Sequence, residues 1–353
     1  MEIKTLLAEL NRSKASDLLL VGKNFPYLRI DNKMVKIGET KLSSEEVEAL
    51  VTPIVRKGEM EKFKAEKELD AAYEDETSRY RINLHFQMGA FGASIRRVPK
   101  QIPTLEELKL PPIAKNFTEL ERGLVLVTGP TGCGKSTTQA AMIGLINSTR
   151  ACHIITVEDP IEFVHTPQLS VVEQREVGFD TLSFGEALKR VLRQIPDVIL
   201  IGEMRDLESI QMAITAAETG HLVISTLHTQ DAVLSIDRVI DVFPPHQQAQ
   251  VRTQLSLTLA GIISQQLLPR QDGKGLIGAF EVLVANPAIR NIIRRGATQE
   301  VYSAIELGAQ QSMQSMDAAL RDLFRKGLIS KDQALLHAIN RERLEKMLQN
   351  IAA

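Results

Sequence analysis

The chain of 353 residues contains only two cysteines, Cys133 and Cys152, and no CxxC pair. That excludes a disulfide framework and a zinc site built on paired thiolates. It also lacks any run of about 18 apolar residues, so no segment reads as a membrane-spanning helix. The first residues, MEIKTLLAELNRSKASD, hold no long apolar stretch and do not read as a secretory signal. An excess of one charge is missing too: 42 Lys and Arg face 44 Asp and Glu, for a net charge of −2. That balance argues against a protein built to coat nucleic acid, although local basic patches fit inside a neutral total. No repeat with a period of about 20–50 residues is present. These absences leave a soluble, intracellular chain, long enough for two or more cores, that is still able to dock on a membrane protein.

What is present divides into three stretches. In residues 1–98, MEIKTLLAELNR places Ile3, Leu6, Leu7 and Leu10 on one helical face. YLRIDNKMVKIG reads as two strands about an Asp31-Asn32 turn, and SSEEVEALVTPIV as an amphipathic helix with Ser44 as its cap. RYRINLHFQMGAFGASIRRVP has the alternation of a hairpin with glycines near its middle. Helices and hairpins without βα alternation predict a small α+β domain. Residues 99–122 hold four prolines, at 99, 103, 111 and 112, and read as a semi-rigid linker with one short helix.

From Gly123 the pattern becomes α/β. GLVLVTG, HIITVED, DVILIGE and HLVISTLH are short buried-strand runs, separated by helical stretches that include KSTTQAAMIGLINS and LESIQMAITAAET. This predicts a largely parallel sheet with its ligand site at the strand C-termini. LLPRQDGKGLIGAFEVLV reads as a hairpin turning at Asp272-Gly273, and the chain is helical from about residue 286 to its end.

GPTGCGKST, with Gly129, Gly134, Lys135 and Ser136, fits the phosphate-binding loop G-x-x-x-x-G-K-[ST] and sits between a strand and a helix, as that motif requires. Its glycines free backbone N–H groups to converge on phosphate oxygens, and the helix N-terminus adds positive potential. Thr131, Gly132, Cys133, Gly134, Lys135, Ser136 and Thr137 are the nucleotide-binding candidates, with Lys135 on the β/γ-phosphates and Ser136 on Mg²⁺. DVILIGEMRD puts Glu203 just past a strand, where an NTPase keeps an acid for the metal shell. HIITVEDPIEF puts Glu158 and Asp159 at another strand end; one acid of such a pair of sites can polarise the attacking water. The tripeptide Glu158-Asp159-Pro160 equally fits a capped turn. His221 and His228 flank a short strand, and His228 stands at the end where a γ-phosphate would be felt. The loop contributes mainly backbone N–H groups at Cys133, which therefore reads as an interchangeable small side chain; the alternative is a thiol of lowered pKa, open to oxidation, at a helix N-terminus beside Lys135.

GPTGCGKSTT, TVEDPIEF, LIGEMRDLESI and TGHLVISTLHT, in this order and spacing, resemble the Walker A, Asp, Walker B and His boxes of the secretion-ATPase superfamily. NPAIRNIIRRG, TLEELKLPP and IDRVIDVFPPHQQAQVRTQLS are similar to segments of its type IV pilus retraction (PilT) family. The assembly and secretion branches carry a tetracysteine insert near the stretch matching LLPRQDGKGLIGAFE, which has no cysteine here. They generally carry an extra N-terminal domain as well, whereas these residues open directly in the small domain; both points lead us to expect the retraction branch. The resemblance implies a PAS-like N-terminal domain, a RecA-like ATPase domain with a helical extension, and a homo-hexamer that binds ATP and Mg²⁺. It further implies that Glu158 activates water, Glu203 orders the metal shell and His228 senses the γ-phosphate. Arg81 and Arg96, which on their own read as solvent-facing charge, would then enter a neighbour's site. The implied work is pilus retraction against a platform protein at the inner face of the cytoplasmic membrane.

Two positions depart from the family pattern: Arg295 stands where the retraction motif ends in glutamate, and Met88 where relatives often have arginine. A nucleotide-gated regulator, a nucleic-acid translocase and an accessory retraction motor are the competing readings. A translocase predicts stimulation by DNA and steep salt dependence.

Overall fold

In the computed structural model, residues 2–30, 33–98 and 101–352 are described, and the chain divides into two units, residues 1–101 and 102–353. The expected Asp31-Asn32 turn and the first two residues of the expected linker lie outside the described residues.

In the first unit, α1 (Ile3–Arg12) buries Ile3, Leu6, Leu7 and Leu10, the face its spacing predicts. There follow β1 (Asp17–Val21), β2 (Tyr27–Ile30), β3 (Lys33–Lys36), α2 (Ser44–Val51), α3 (Glu59–Glu66), β4 (Glu68–Glu74), β5 (Arg79–Gln87) and β6 (Ala90–Val98). The cap of α2 is Ser43, not Ser44: the Ser43 side chain accepts from Glu46 N–H and Glu46 accepts from Ser43 N–H, a reciprocal capping box. Ser44 is the first helical residue, and its hydroxyl accepts a hydrogen bond from Phe91 N–H. The six strands form one sheet in the order β3-β2-β1-β6-β5-β4, antiparallel throughout. One face carries Leu18, Leu28, Ile82, Leu84 and Ile95 into a core shared with α1 and α2. The β5–β6 turn is Met88-Gly89, both at positive φ, and Met88 is 91% exposed.

The proline-bearing stretch from Ile102 belongs to the second unit. Leu105, Leu110, Ala114 and Phe117 are buried with the central strands of that unit, because four apolar side chains at these positions outweigh the pull of the prolines toward an exposed linker. After α4 (Ile113–Thr118) come β7 (Gly123–Thr128), α5 (Lys135–Thr149), β8 (His153–Glu158), β9 (Val171–Glu176), α6 (Phe184–Val191), β10 (Val198–Ile201), α7 (Leu207–Glu218) and β11 (Leu222–Leu227). Then follow α8 (Ala232–Asp241), α9 (Pro245–Thr258), β12 (Leu259–Pro269) and β13 (Leu276–Val284). The sheet order is β13-β12-β7-β11-β10-β8-β9, parallel except for the β12–β13 hairpin. Every residue of β7, β10 and β11 is buried, as strands covered on both faces require.

The helical extension is α10 (Pro287–Arg295), α11 (Val301–Leu307), α12 (Met316–Arg325), α13 (Lys331–Leu336) and α14 (Arg341–Ala352). Met316, Leu320, Leu335 and Leu344 form a core of their own with Leu268, Ile277 and Ala279 of the β12–β13 hairpin. Arg295 pairs with Glu300 at 2.7 Å, so the reversed charge in this segment has a local partner. No helix among the described residues is long and apolar enough to cross a membrane.

Candidate functional site

The loop between β7 and α5 turns on Gly129, Gly132 and Gly134, all at positive φ. A Cβ on Gly129 would run into the backbone oxygen of Gln265 and the Cys133 sulfur, so the loop tolerates only glycine there. Lys135 Nζ donates to the Gly129 and Pro130 carbonyls at 2.8 and 3.0 Å. Burial lowers its pKa, while negative charge at Cys133, Glu203 and Glu162 works the other way. Thr131 and Gly132 are exposed, whereas Ser136 and Thr137 lie half-buried in the first turn of α5.

At Cys133 the structure favours the small side chain over the activated thiol. The residue is 3% exposed, and burial pushes its thiol up from the usual value, more than the opposing pull of Lys135 and the backbone N–H groups. Desolvation of a thiolate under the loop outweighs the helix N-terminus, so this is not an activated, oxidation-prone thiol.

The other candidates of this unit gather at the C-terminal ends of neighbouring parallel strands, where open α/β sheets hold ligands. Glu203 follows β10, Glu158 ends β8, and His228 follows β11. Two side-chain bonds hold the ends of β10 and β11 together: Ser225 donates to the Ile201 carbonyl at 2.9 Å and Thr226 to the Gly202 carbonyl at 2.7 Å. His228 bridges two motifs. Its Nε2 lies 3.3 Å from a Glu203 carboxylate oxygen and its Nδ1 lies 3.4 Å from the Thr131 hydroxyl of the phosphate loop. Glu203 also pairs with Arg205.

Glu158 accepts from the Thr156 hydroxyl at 2.6 Å and from the Gln174 amide at 3.1 Å, both on Oε1. Burial nevertheless raises its pKa, the direction that suits a general base. Asp159, its neighbour, is exposed. His221 stands apart at the opposite end of β11, where its Nδ1 meets the Ala216 carbonyl at 2.9 Å beneath α7. One of the two histidines therefore belongs with the phosphate loop, and the other finishes a helix.

In the first unit, Arg81 and Arg96 are register partners on β5 and β6. They share the polar sheet face with Asp17 and Arg29, which continue the same row across β1 and β2. Arg96 Nε donates to Asp17 at 2.8 Å.

Two contributors escaped the sequence reading. Gln265 on β12 is buried; its amide donates to the Cys133 carbonyl at 2.6 Å and its carbonyl accepts from Thr138 at 2.9 Å, clamping the loop to the sheet. Beside it Ser264 accepts from Thr128 at 2.8 Å. The available signal was polar Ser264-Gln265-Gln266 inside an otherwise apolar strand. The second is β9, whose VVEQRE has neither the apolar run of a buried strand nor clean alternation.

Comparison with known proteins places this geometry. The family model described as "Type II/IV secretion system protein" matches residues 104–336. The type IV pilus retraction ATPase PilT of Pseudomonas aeruginosa is 46% identical over 335 residues, 95% of this chain and 97% of that protein. A twitching motility protein of Neisseria gonorrhoeae is 46% identical over 90% of this chain and 85% of its own length. The type IV pilus ATPase PilU of P. aeruginosa is 40% identical over 99% of this chain and 92% of its own. Among solved structures, one titled as the pilus retraction motor PilT with bound ADP superposes with a TM-score of 0.93 at 42% identity, covering 98% of this chain and 99% of that one. The Legionella pneumophila ATPase DotB gives 0.81 at 28% identity, over 95% of this chain and 94% of its own. The chain belongs to the type II/IV secretion system protein family, within its pilus retraction ATPase (PilT) branch.

Proposed function

We infer that the chain is an ATPase that powers retraction of a type IV pilus, working as a homo-hexameric ring on the cytoplasmic side of the membrane against a pilus platform protein. The observation that carries this reading is His228 lying between Thr131 of the phosphate loop and Glu203, which joins three separate motifs into one site. The whole-length likeness to pilus retraction ATPases supplies the kind of work.

The N–H groups of residues 131–137 grip the phosphates, and Lys135 exchanges its bonds to the loop carbonyls for phosphate oxygens. The Ser136 hydroxyl and Glu203 carboxylate are hard oxygen donors of the kind Mg²⁺ takes, and they would hold it. When bound, that ion neutralises charge on the phosphates. Glu158 takes the proton of the attacking water on its carboxylate. His228 reports the γ-phosphate to Glu203 and the loop. Arg81 and Arg96 of a neighbouring subunit bring planar, permanently charged groups to the same phosphates. Nucleotide that favours a closed arrangement over an open one shifts the ring's populations on hydrolysis, and that shift is the source of movement.

Pilus retraction in cells lacking their retraction motor tests the reading. The wild-type chain is expected to restore it, and Glu203→Ala is not. Retraction restored equally by Glu203→Ala would overturn the motor function. Failure of both in cells lacking the counterpart of PilT, with recovery only beside a second motor, would instead identify an accessory ATPase.

A further inference from the structure

Gln174 projects from β9 at the level of Thr156 on β8, its register partner. All three hydrogen-bonding functions of its amide are in use. The nitrogen donates to Glu158 Oε1 at 3.1 Å and to the Phe163 carbonyl at 2.8 Å, and the oxygen accepts from His165 N–H at 2.7 Å. Two residues further along the same strand face, Glu176 accepts from Ile161 N–H at 3.1 Å. The side of β9 facing the loop therefore holds residues 161–165 at two points, and Gln174 also reaches the acid.

We propose that Gln174 is a positioning residue for ATP hydrolysis: it fixes the rotation of the Glu158 carboxylate and ties it to the loop at residues 163–165. The proposal rests on the reading of Glu158 as the base. Thr156 and Gln174 approach the same oxygen from adjacent strands, so the carboxylate cannot turn without breaking a bond to each. An amide suits position 174 better than its near relatives. A carboxylate there would repel Glu158, and an alkyl chain would leave both Oε1 and the Phe163 carbonyl short of a donor. Donation to the ionised carboxylate also favours its charged form and opposes the effect of burial. Without that donor the base protonates at higher pH, and the acid limb of the activity profile moves upward.

The test is steady-state ATP hydrolysis by the full chain, wild type against Gln174→Leu and Gln174→Glu, across the acid range, with thermal melts and nucleotide binding alongside. Removal of a charge-assisted bond predicts that kcat falls by about tenfold or more in Gln174→Leu. KM for ATP stays within about twofold, since the phosphate loop is untouched. The acid limb rises by about one pH unit in Gln174→Leu, and further in Gln174→Glu, where a like charge is added. If Gln174→Leu does not fold, Gln174→Glu decides alone, because it keeps the shape and the acceptor for His165. Glu158→Gln separates the two claims. If Glu158→Gln is inactive while both Gln174 variants keep the wild-type kcat and acid limb, the role of Gln174 is wrong and the base stands. If Glu158→Gln turns over at the wild-type rate, the base reading fails and this proposal with it. Activity lost only in proportion to thermal stability, with an unmoved acid limb, would make Gln174 a loop tether and nothing more.

Discussion

At the scale of single residues, burial decides more than neighbouring charge. Cys133 sits beside Lys135 at a helix N-terminus, yet its thiol is pushed up because it is covered. The sequence could not reveal this, since burial of the thiol depends on how the loop folds, and the loop is held at the Cys133 carbonyl by Gln265, distant in the chain. Two further buried groups give a prediction. Burial depresses His165 from 6.5 to about 4 and raises Glu281 from 4.5 to about 7, the latter with Asp231 and Asp317 adding to the rise. Between these limits the unfolded chain binds the extra proton at His165, so stability there increases with pH. At Glu281 the folded chain binds it, so stability decreases with pH. Each slope is about 1.4 kcal/mol per pH unit, and where the windows overlap they oppose each other. Denaturant melts across that overlap are expected to show His165→Leu losing stability as pH rises and Glu281→Gln gaining it. Parallel behaviour of both variants and the wild type would refute the pairing.

At the scale of elements, what the sequence made legible were those with strong local signals. Helix α1 showed its buried face through spacing, the phosphate loop showed itself through glycines and lysine, and the buried strands through apolar runs. Edges and clamps were hidden. β9 is half-exposed at the sheet margin, so its residues answer to the loop they hold instead of to a core. Of the candidate site, Lys135, Glu158, Glu203 and His228 were readable as strand-end or loop residues, but Gln174 and Gln265 act through partners remote in sequence. The stretch at 102–118 shows the opposite error, because its prolines hid four core side chains. Phe117 lies against Gly261, where an added Cβ would meet its ring. Phe117→Ala is accordingly expected to cost about 3–5 kcal/mol in a denaturant melt. A cost under about 1 kcal/mol would mean that the stretch is the loose linker its prolines suggest.

At the scale of the whole molecule, the second unit has the parts of a nucleotide hydrolase on one edge of a parallel sheet, and its hairpin carries the helical extension. Glu281 connects the two. Its carboxylate accepts from Ala232 N–H at 2.8 Å, where α8 starts after the His box, and it faces Met316 N–H at the start of α12. The first unit contributes a sheet face on which Arg81 and Arg96 stand side by side. The central claim is that the phosphate loop, Glu203 and His228 form one ATP-hydrolysing site. Steady-state ATP hydrolysis by the purified full chain, set against Lys135→Ala and Glu203→Ala, tests it most directly. The account predicts turnover by the wild type and a loss of at least about a hundredfold in both variants, the outcome expected if Lys135 holds phosphate and Glu203 the metal shell. A wild-type rate no faster than either variant would contradict it and leave a nucleotide-gated binding protein in place of a motor.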